Sequence, residues 1–369
     1  MNNKAWIDEA WEKLDKKLSK AALTARDFIP YTTKNGKFFP ADIDWWTNGF
    51  WPGMMWLMYD ATKNEVYRET AEKAELMMDE ALSNYDCLHH DVGFMWHLSS
   101  GANHRLTGNK KSYMRNMFAA NVLAGRFNLK SGYIRAWNGE RCRGYAIIDC
   151  MMNIPLLYWA SEHSDDDRFK FIAMAHADTT LKYHIREDGS VNHQIEYNPD
   201  TGEIVENHFG QGYEVGSSWS RGQGWALYGF TLSYMYTKEE RYLTAAKRVA
   251  NYFIAAVCGD WLARCDFRAP KDPVIYDASA GLIAACGLLE LAKCVGEYEH
   301  DMYYNAAVNI VKATTENFAD WSEETDAVIT HGTVAYHCND DMRHINMIYS
   351  DFYYAEALNK LKGFNTQIW

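Results

Sequence analysis

The stretch Trp45–Trp56, WWTNGFWPGMMW, joins a short polar turn to a run that is apolar on nearly every side. The turn contains Asn48 and Gly49, and Phe50 opens the apolar helix that we expect to follow it. A helix that is hydrophobic all round cannot face water, so other elements must enclose it. The stretch therefore predicts an inner helix surrounded by amphipathic helices.

The same pattern recurs along the chain. Further apolar helices are predicted after Asp91, at Met151–Ala160, at Trp225–Tyr236, at Ala278–Ala292 and after Ser350–Tyr354. Amphipathic segments alternate with them, so a pair of one buried and one half-exposed helix recurs about six times, every 40–70 residues or so. We expect an all-α fold, an (α/α)6 barrel forming one domain over residues 1–369, with an open α-solenoid as the alternative. Strand signals are limited to one hairpin around residues 189–203.

The overall charge and the cysteines restrict the function. A net charge of −12 argues against nucleic acid and against anionic membrane surfaces as partners. The N-terminus lacks an apolar signal region, and no run is long and uncharged enough to span a membrane. The eight cysteines contain no Cys-x-x-Cys pair, which is typical of a reduced protein. We expect a cytoplasmic protein that meets imported fragments; the sequence leaves its oligomeric state open.

Polar loops precede all the predicted inner helices, and they carry glycine or aromatic residues. They lie at residues 46–51, 89–94, 137–149, 211–223, 277–281 and 337–351. In a closed barrel these loops meet at one mouth, so residues distant in sequence converge on one pocket. Aromatic residues make up 15% of the chain, including 14 Trp, and many rings are expected to line that pocket.

Asp149 lies in the middle of an otherwise apolar stretch, residues 144–153, and Asp91 has a similar setting within residues 89–94. Burying an ionised carboxylate without a partner is costly. Each aspartate is expected either to cap a helix or to serve acid–base chemistry; the two roles are compatible, and both stay open. Two carboxylates in aromatic surroundings suggest chemistry on a sugar.

Arg221 lies between Trp219 and Trp225 at the start of a predicted inner helix. An arginine there is poorly placed in a core. It suits a fork that binds a carboxylate beside stacking rings, which is the usual way to hold an anionic sugar.

Three histidines are candidate ligands or bases. His89 and His90 are adjacent in one loop, point in different directions and have no further ligand at helical spacing, so we expect no metal site. His193, on local grounds, is interpreted as a polar loop residue rather than a base.

Six short stretches, taken together, resemble the unsaturated glucuronyl hydrolases, glycoside hydrolase family 88, over essentially the whole chain. They lie, in order, at residues 46–51, 89–94, 147–153, 218–225, 279–290 and 350–358. The resemblance implies an (α/α)6 barrel and an enzyme without metal or cofactor. It also implies substrates that polysaccharide lyases leave with a 4,5-unsaturated uronic acid at the non-reducing end, chiefly glycosaminoglycan disaccharides.

The resemblance also implies roles for individual residues. Asp149 corresponds to the general acid/base, and Asp91 to a second essential carboxylate. The implied substrate-contacting residues are Trp46, His90, Trp137, His193, Gln211, Trp219, Arg221 and Trp225. The implied chemistry is hydration of a vinyl ether: protonated Asp149 gives its proton to C4, water attacks C5, and an unstable hemiketal opens.

One loop departs from the family pattern. Members that accept sulfated disaccharides tend to carry Ser and Lys before the last inner helix, where this chain has Ala335, Cys338 and Asp340. We therefore predict a preference for unsulfated substrates. The nearest alternative is an unsaturated rhamnogalacturonyl hydrolase acting on pectin fragments, which the His90–Asp91 pair fits less well. A non-catalytic, carbohydrate-binding helical toroid is a second alternative.

Overall fold

The computed structural model describes residues 4–364 and 366–369, and helices dominate it. The α-helices are α1 (Lys4–Thr24), α2 (Phe50–Thr62), α3 (Glu65–Met77), α4 (Asp79–Leu82), α5 (Ala102–Thr107), α6 (Lys110–Gly125), α7 (Pro155–Ser164), α8 (Asp167–Tyr183), α9 (Ser220–Thr237), α10 (Glu240–Val257), α11 (Ala278–Cys294), α12 (Glu297–Phe318) and α13 (Ile348–Lys362). A π-helix, Gly93–Gly101, runs directly into α5. Within the described ranges, no helix is long and apolar enough to cross a membrane.

Six helical segments form an inner ring. In chain order they are α2, the π-helix with α5, α7, α9, α11 and α13. They are buried over most of their length, and in α11 every residue from Ala278 to Ala292 is buried. Each segment packs against the next, and α13 packs against α2. Because the last inner helix contacts the first, the ring is closed.

Each inner segment has an outer partner. The pairs are α3 on α2, α6 on the π-helix, α8 on α7, α10 on α9, α12 on α11 and α1 on α13. The outer helices are amphipathic: in α10 the buried residues Tyr242, Val249 and Phe253 recur at helical spacing. The prediction of an (α/α)6 barrel, rather than an open solenoid, is confirmed.

The π-helix begins two residues after Asp91, where the sequence predicts a regular apolar helix. Its first residue, Gly93, passes so close to Asn153 that a Cβ atom would lie 2.6 Å from the Asn153 Cα. Only glycine fits there without moving the backbone. The close approach joins the segment that bears Asp91 to the segment that bears Asp149. π-Helices are rare and frequently occur at functional sites.

Within residues 4–364 and 366–369, seven short strands form three antiparallel sheets. They are β1 (Pro30–Lys34) with β2 (Lys37–Pro40), β3 (Phe127–Asn128) with β4 (Tyr133–Ile134), and β5 (Tyr145–Ile147), β6 (Gln194–Tyr197) and β7 (Ile204–His208) in one sheet. The predicted hairpin corresponds to β6 and β7 with a turn between Asn198 and Glu203. The prediction missed the other strands, which are too short for an alternating pattern to show.

The β5–β6 pair matters most for the site. Ile147 pairs with Gln194, and the Ile148 amide donates to the His193 carbonyl over 3.0 Å. This register places His193 beside the segment that carries Asp149, although 44 residues separate them in the sequence.

Candidate active site

Asp149 is 8% exposed and lies in a short 3-10 helix, Ile148–Met152, that leads into α7. Its side chain makes no capping hydrogen bond there, and α7 begins with a proline at Pro155, which needs no cap for its missing amide hydrogen. The capping role predicted for Asp149 is therefore wrong. Its Oδ2 atom is buried and accepts no hydrogen bond from the described residues.

His193 is the nearest basic group to Asp149. Its Nε2 atom lies 3.3 Å from Asp149 Oδ2, without the alignment of a hydrogen bond. Its Nδ1 atom accepts the Gln211 backbone N–H over 2.9 Å, so the ring proton of neutral His193 belongs on Nε2. The ring rests on Trp219, with centroids 4.2 Å apart. His193 therefore presents a donor to Asp149 and is not the isolated loop residue that local sequence suggested.

Asp91 is 7% exposed and has a different environment. Its Oδ1 atom accepts from Asn153 Nδ2 over 3.0 Å and lies 3.2 Å from His90 Nε2. Burial, reinforced by the charge of Asp149, raises the pKa of Asp91 well above its ordinary value. Asp91 therefore keeps its proton to a higher pH than an exposed aspartate does.

His90 supports this proton state. Its Nδ1 atom lies 2.8 Å from the Ala136 carbonyl oxygen, which requires a hydrogen on Nδ1 and leaves Nε2 as an acceptor. Burial lowers the pKa of His90 well below its ordinary value, so the ring is neutral. A lone pair on Nε2 faces Asp91 and favours a protonated carboxyl over a carboxylate. The two aspartates thus meet opposite partners: an acceptor beside Asp91 and a donor beside Asp149.

Asn153 links the two aspartates, and the sequence analysis gave it no role. Its Nδ2 atom donates to Asp91 Oδ1 and also lies 3.3 Å from the Asp149 carbonyl oxygen, while its Oδ1 atom accepts the Phe94 amide over 2.8 Å. The available signal was its position four residues after Asp149, at the start of an inner segment. One amide side chain therefore ties the Asp91 carboxyl group to the backbone of Asp149.

Arg221 does not form the open carboxylate fork that the sequence suggested. It is 1% exposed, and its Nη1 atom pairs with the buried Asp277. Nη1 also donates to the Thr333 carbonyl over 2.9 Å, and Nη2 donates to the Val334 carbonyl over 2.7 Å. Because protein acceptors occupy both terminal nitrogens, Arg221 ties α9 to the loop before α13 instead of presenting a fork to a ligand.

The predicted substrate-contacting tryptophans separate into two groups. Trp46 and Trp137 are half-buried. The ring centroids of Trp46 and Tyr349 are 5.2 Å apart, and Trp137 packs edge-on against His90 with ring centroids 5.9 Å apart. Trp225 is 0% exposed and packs behind the site against Phe94, so the prediction that it contacts a substrate does not agree with this conformation.

Trp219 and Gln211 support the site. Trp219 is 3% exposed and lies between the ring of His193 and the guanidinium of Arg221. The guanidinium carbon is 4.7 Å from the centroid of the Trp219 ring. Gln211 is half-buried; its Nε2 atom donates to the Val334 carbonyl over 2.6 Å, so it fixes the loop that orients His193.

Two groups of side chains have the spacing of metal ligands among the described residues. His89, His90 and Asp91 form one, and Glu196, Glu206 and His208 on β6–β7 form the other; within each group, the possible ligand atoms lie within 4.8 Å of one another. In the first group the Ala136 carbonyl engages His90 Nδ1, so only Nε2 of that ring could bind a metal.

Comparison with known proteins gives a consistent result, although no family model matches the chain. The chain is 35% identical over 353 residues to an unsaturated glucuronyl hydrolase from Bacillus sp. (strain GL1), covering 93% of each protein. It is 31% identical over 351 residues to an unsaturated chondroitin disaccharide hydrolase from Streptococcus pyogenes serotype M1, covering 90% of this chain and 85% of that protein.

Solved structures agree with these relatives. The crystal structure of an unsaturated glucuronyl hydrolase from Bacillus sp. GL1, described as responsible for the degradation of glycosaminoglycan, superposes with a TM-score of 0.91. The two chains are 33% identical, and the match covers 96% of this chain and 97% of that one. The likeness therefore extends over almost the whole chain.

Proposed function

The chain belongs to the unsaturated glucuronyl hydrolases and is a glycoside hydrolase, and from this we propose how it acts on its substrate. The substrate is an oligosaccharide, produced by a polysaccharide lyase, that carries a 4,5-unsaturated uronic acid at its non-reducing end. The enzyme releases that sugar. The carrying observation is the pair of buried carboxyl groups, Asp91 and Asp149, which are close enough for their charges to interact but face partners of opposite hydrogen-bonding character.

The proposed reaction is hydration of the vinyl ether. Asp149 donates a proton to C4 of the double bond, and positive charge develops at C5, where the ring oxygen stabilises it. Asp149 then takes a proton from water as the water attacks C5. The resulting hemiketal opens and expels the remainder of the oligosaccharide. Asp149 suits this double role because its Oδ2 atom is without a hydrogen bond from the described residues, and His193 limits where it can point.

Catalysis requires a proton on Asp149. The substrate carboxylate brings a further negative charge into the site, and a like charge favours protonation of the neighbouring acid. We therefore infer that substrate binding is accompanied by proton uptake. In its protonated form, which burial favours, Asp91 donates a hydrogen bond to a sugar hydroxyl or to His90 and does not act as a nucleophile.

The loop before α13 bears on sulfation. Tyr336 donates its backbone N–H to the Gln211 carbonyl over 2.9 Å, which brings this loop to the mouth. Asp340 is fully exposed there and pairs with Arg343 at 3.2 Å. A sulfate group would be repelled by the Asp340 carboxylate, and the nearby Arg343 is already paired with that carboxylate. Unsulfated disaccharides are therefore the preferred substrates.

Sulfation preference is tested with unsulfated and 6-sulfated unsaturated chondroitin disaccharides. We expect a higher kcat/KM for the unsulfated one, and comparable values would contradict the proposal. Asp340→Lys should raise the rate on the sulfated substrate selectively. Asp341→Lys makes the same charge change at the next residue and serves as the matched control.

The activity itself is tested with an unsaturated hyaluronan disaccharide. The wild type removes the near-ultraviolet absorbance of the enol ether. Asp149→Asn should lower kcat by about 1,000-fold or more while leaving disaccharide binding, measured calorimetrically, largely intact. Asp167→Asn, on the surface at the start of α8, is the control. Turnover of rhamnogalacturonan fragments alone would favour the rhamnogalacturonyl alternative, which the named relatives do not favour. Undiminished turnover by Asp149→Asn would exclude the proposed chemistry.

The cellular compartment is also proposed. All eight cysteines are free thiols, five of them at least partly exposed to solvent, as suits a reducing compartment. We assign the enzyme to the cytoplasm, where it would act on imported lyase products. Cell fractionation with an antibody to the protein tests this assignment, and recovery in the culture medium would contradict it.

A further inference from the structure

A basic groove runs along the outer face of α1, and none of its residues belongs to the catalytic mouth. Lys13, Lys16, Lys17 and Lys20 follow the helical spacing of one face and meet the segment after α12 that contains Trp321. Together they line a recess of about 240 Å³. We call this surface the α1 groove.

A second recess extends the groove. It measures about 210 Å³, is lined by Trp6 and Glu9, and shares Lys13 and Trp321 with the first recess. The two recesses together reach the size of small-molecule sites, which span about 300–1,000 Å³. Trp321 separates them, so a ligand longer than one sugar ring can occupy both.

The lysines of the α1 groove are only weakly neutralised. Lys16 is exposed and has no ion-pair partner among the described residues. Lys13 forms an ion pair with Glu9, and Lys20 forms one with Glu323 at 3.5 Å. Both ion pairs are exposed to solvent, so an anionic group of a ligand can readily replace either carboxylate. Lys17 donates to two backbone carbonyls rather than to a carboxylate. In the first recess these four lysines face two carboxylates, Glu323 and Asp326, whereas the whole chain has a net charge of −12.

The aromatic and polar groups narrow the ligand class. Trp321 is half-buried, and the Lys13 ammonium lies 5.8 Å from its ring centroid. Ser322 and Thr325 line the same recess and supply hydroxyl groups. An indole ring provides an apolar face for a pyranose ring, the lysines bind acidic substituents, and the neighbouring carboxylates and hydroxyls pair with sugar hydroxyls.

We propose that the α1 groove is a second, non-catalytic binding site for an acidic glycan, one that carries uronate or sulfate groups. A nucleic acid fits less well, because it carries a phosphate on every residue and has few hydroxyl groups to pair with Glu9, Glu323 and Asp326. A membrane surface fits less well, because the groove is concave and Trp321 does not protrude. The site does not depend on the unsaturated ring that the catalytic mouth requires.

The groove is tested with a saturated hyaluronan hexasaccharide, which has no 4,5 double bond. Calorimetry is performed on Asp149→Asn protein with the mouth filled by excess unsaturated disaccharide, at low and moderate salt. We expect saturable binding that weakens as salt rises. Lys16→Glu with Lys20→Glu should raise the Kd by about tenfold or more, since two attractive charges become repulsive. The same pair of changes should leave kcat/KM on the unsaturated disaccharide unaltered in the otherwise wild-type enzyme.

Lys110→Glu with Lys111→Glu, on the exposed first turn of α6, changes the net charge equally and should leave the Kd unchanged. Trp321→Leu, checked for folding by its thermal melt, should also weaken binding. The proposal is overturned if the hexasaccharide does not bind, if both double variants give the same Kd, or if an anionic vesicle or DNA oligonucleotide binds the groove more tightly. A loss of disaccharide turnover with normal hexasaccharide binding would count against the proposed function and not against the groove.

Discussion

Replacing Arg221 by Met is the most direct test of how the mouth is built. The change removes a charge that pairs with the buried Asp277, together with donors to the carbonyls of Thr333 and Val334. Asp277 is 0% exposed, so its carboxylate would remain without a counter-charge. Removing one partner of a buried ion pair typically costs about 3–5 kcal/mol. We expect the free energy of unfolding to fall by about that amount.

Urea unfolding, followed by circular dichroism, measures this change. Replacing both partners, Arg221→Met with Asp277→Leu, should recover much of the lost stability because no unpaired charge remains. Arg168→Met, at an exposed arginine paired with Asp166, is the control and should leave the urea midpoint unchanged. The interpretation is refuted if Arg221→Met unfolds at the wild-type midpoint while KM for the unsaturated disaccharide rises about 100-fold or more. That outcome would mean that the guanidinium faces the substrate.

Three further predictions follow from the contacts around the mouth. His193→Ala should lower kcat by about 100-fold, since Asp149 loses the ring that limits its position; an unchanged kcat in the absorbance assay would contradict this. Burial raises the pKa of Asp351 from 3.8 to about 6. A carboxyl group whose pKa is raised by folding stabilises the folded protein below pH 3.8, and this stabilisation is lost as the pH rises through 6. The pKa difference of about 2, at about 1.4 kcal/mol per pKa unit, corresponds to about 3 kcal/mol of unfolding free energy. Urea midpoints between pH 4 and 7 should therefore depend less on pH in Asp351→Asn, and an equal dependence would exclude the assignment. Gly93→Ala should cost about 1–3 kcal/mol and reduce kcat, because its Cβ would stand 2.6 Å from backbone atoms. Gly125→Ala, in open space on α6, should be neutral or stabilising in the same thermal melts.

The toroid could be predicted from the sequence because its strongest signal is local. A run such as Ala278–Ala292 is apolar around its whole circumference, and burial on all sides admits few arrangements. Ring closure itself depends on the pairing of α13 with α2, which no local pattern reveals. The number of repeats and the alternation of inner and outer helices made a closed ring the simplest fold to predict.

The site was only partly predictable, for a related reason. Asp91 and Asp149 stand out because a carboxylate in an apolar run needs an explanation. Arg221 was misread because its partner, Asp277, lies 56 residues further along the chain, and the sequence gives no indication that they meet. Asn153 was missed because an amide is unremarkable until its hydrogen bonds are known.

The hydrogen-bonding environment of the two aspartates depends on tertiary structure alone. It follows from which ring nitrogen of His90 and of His193 faces each carboxyl group. Those choices depend in turn on a carbonyl and an amide supplied by other loops.

The contact between α13 and α2 also has a consequence for biosynthesis. Phe50 in α2 packs against Phe352 and Tyr353 in α13, and Trp46 and Tyr349 meet beside this seam. The ribosome synthesises Asp91 and Asp149 long before it synthesises α13. For some time, therefore, the nascent chain contains both acids but lacks the helix that completes this side of the site. Joining segments about 300 residues apart is entropically slow, and it must await most of the chain. The nascent enzyme should therefore remain inactive until a late step, when one seam both closes the ring and completes the mouth.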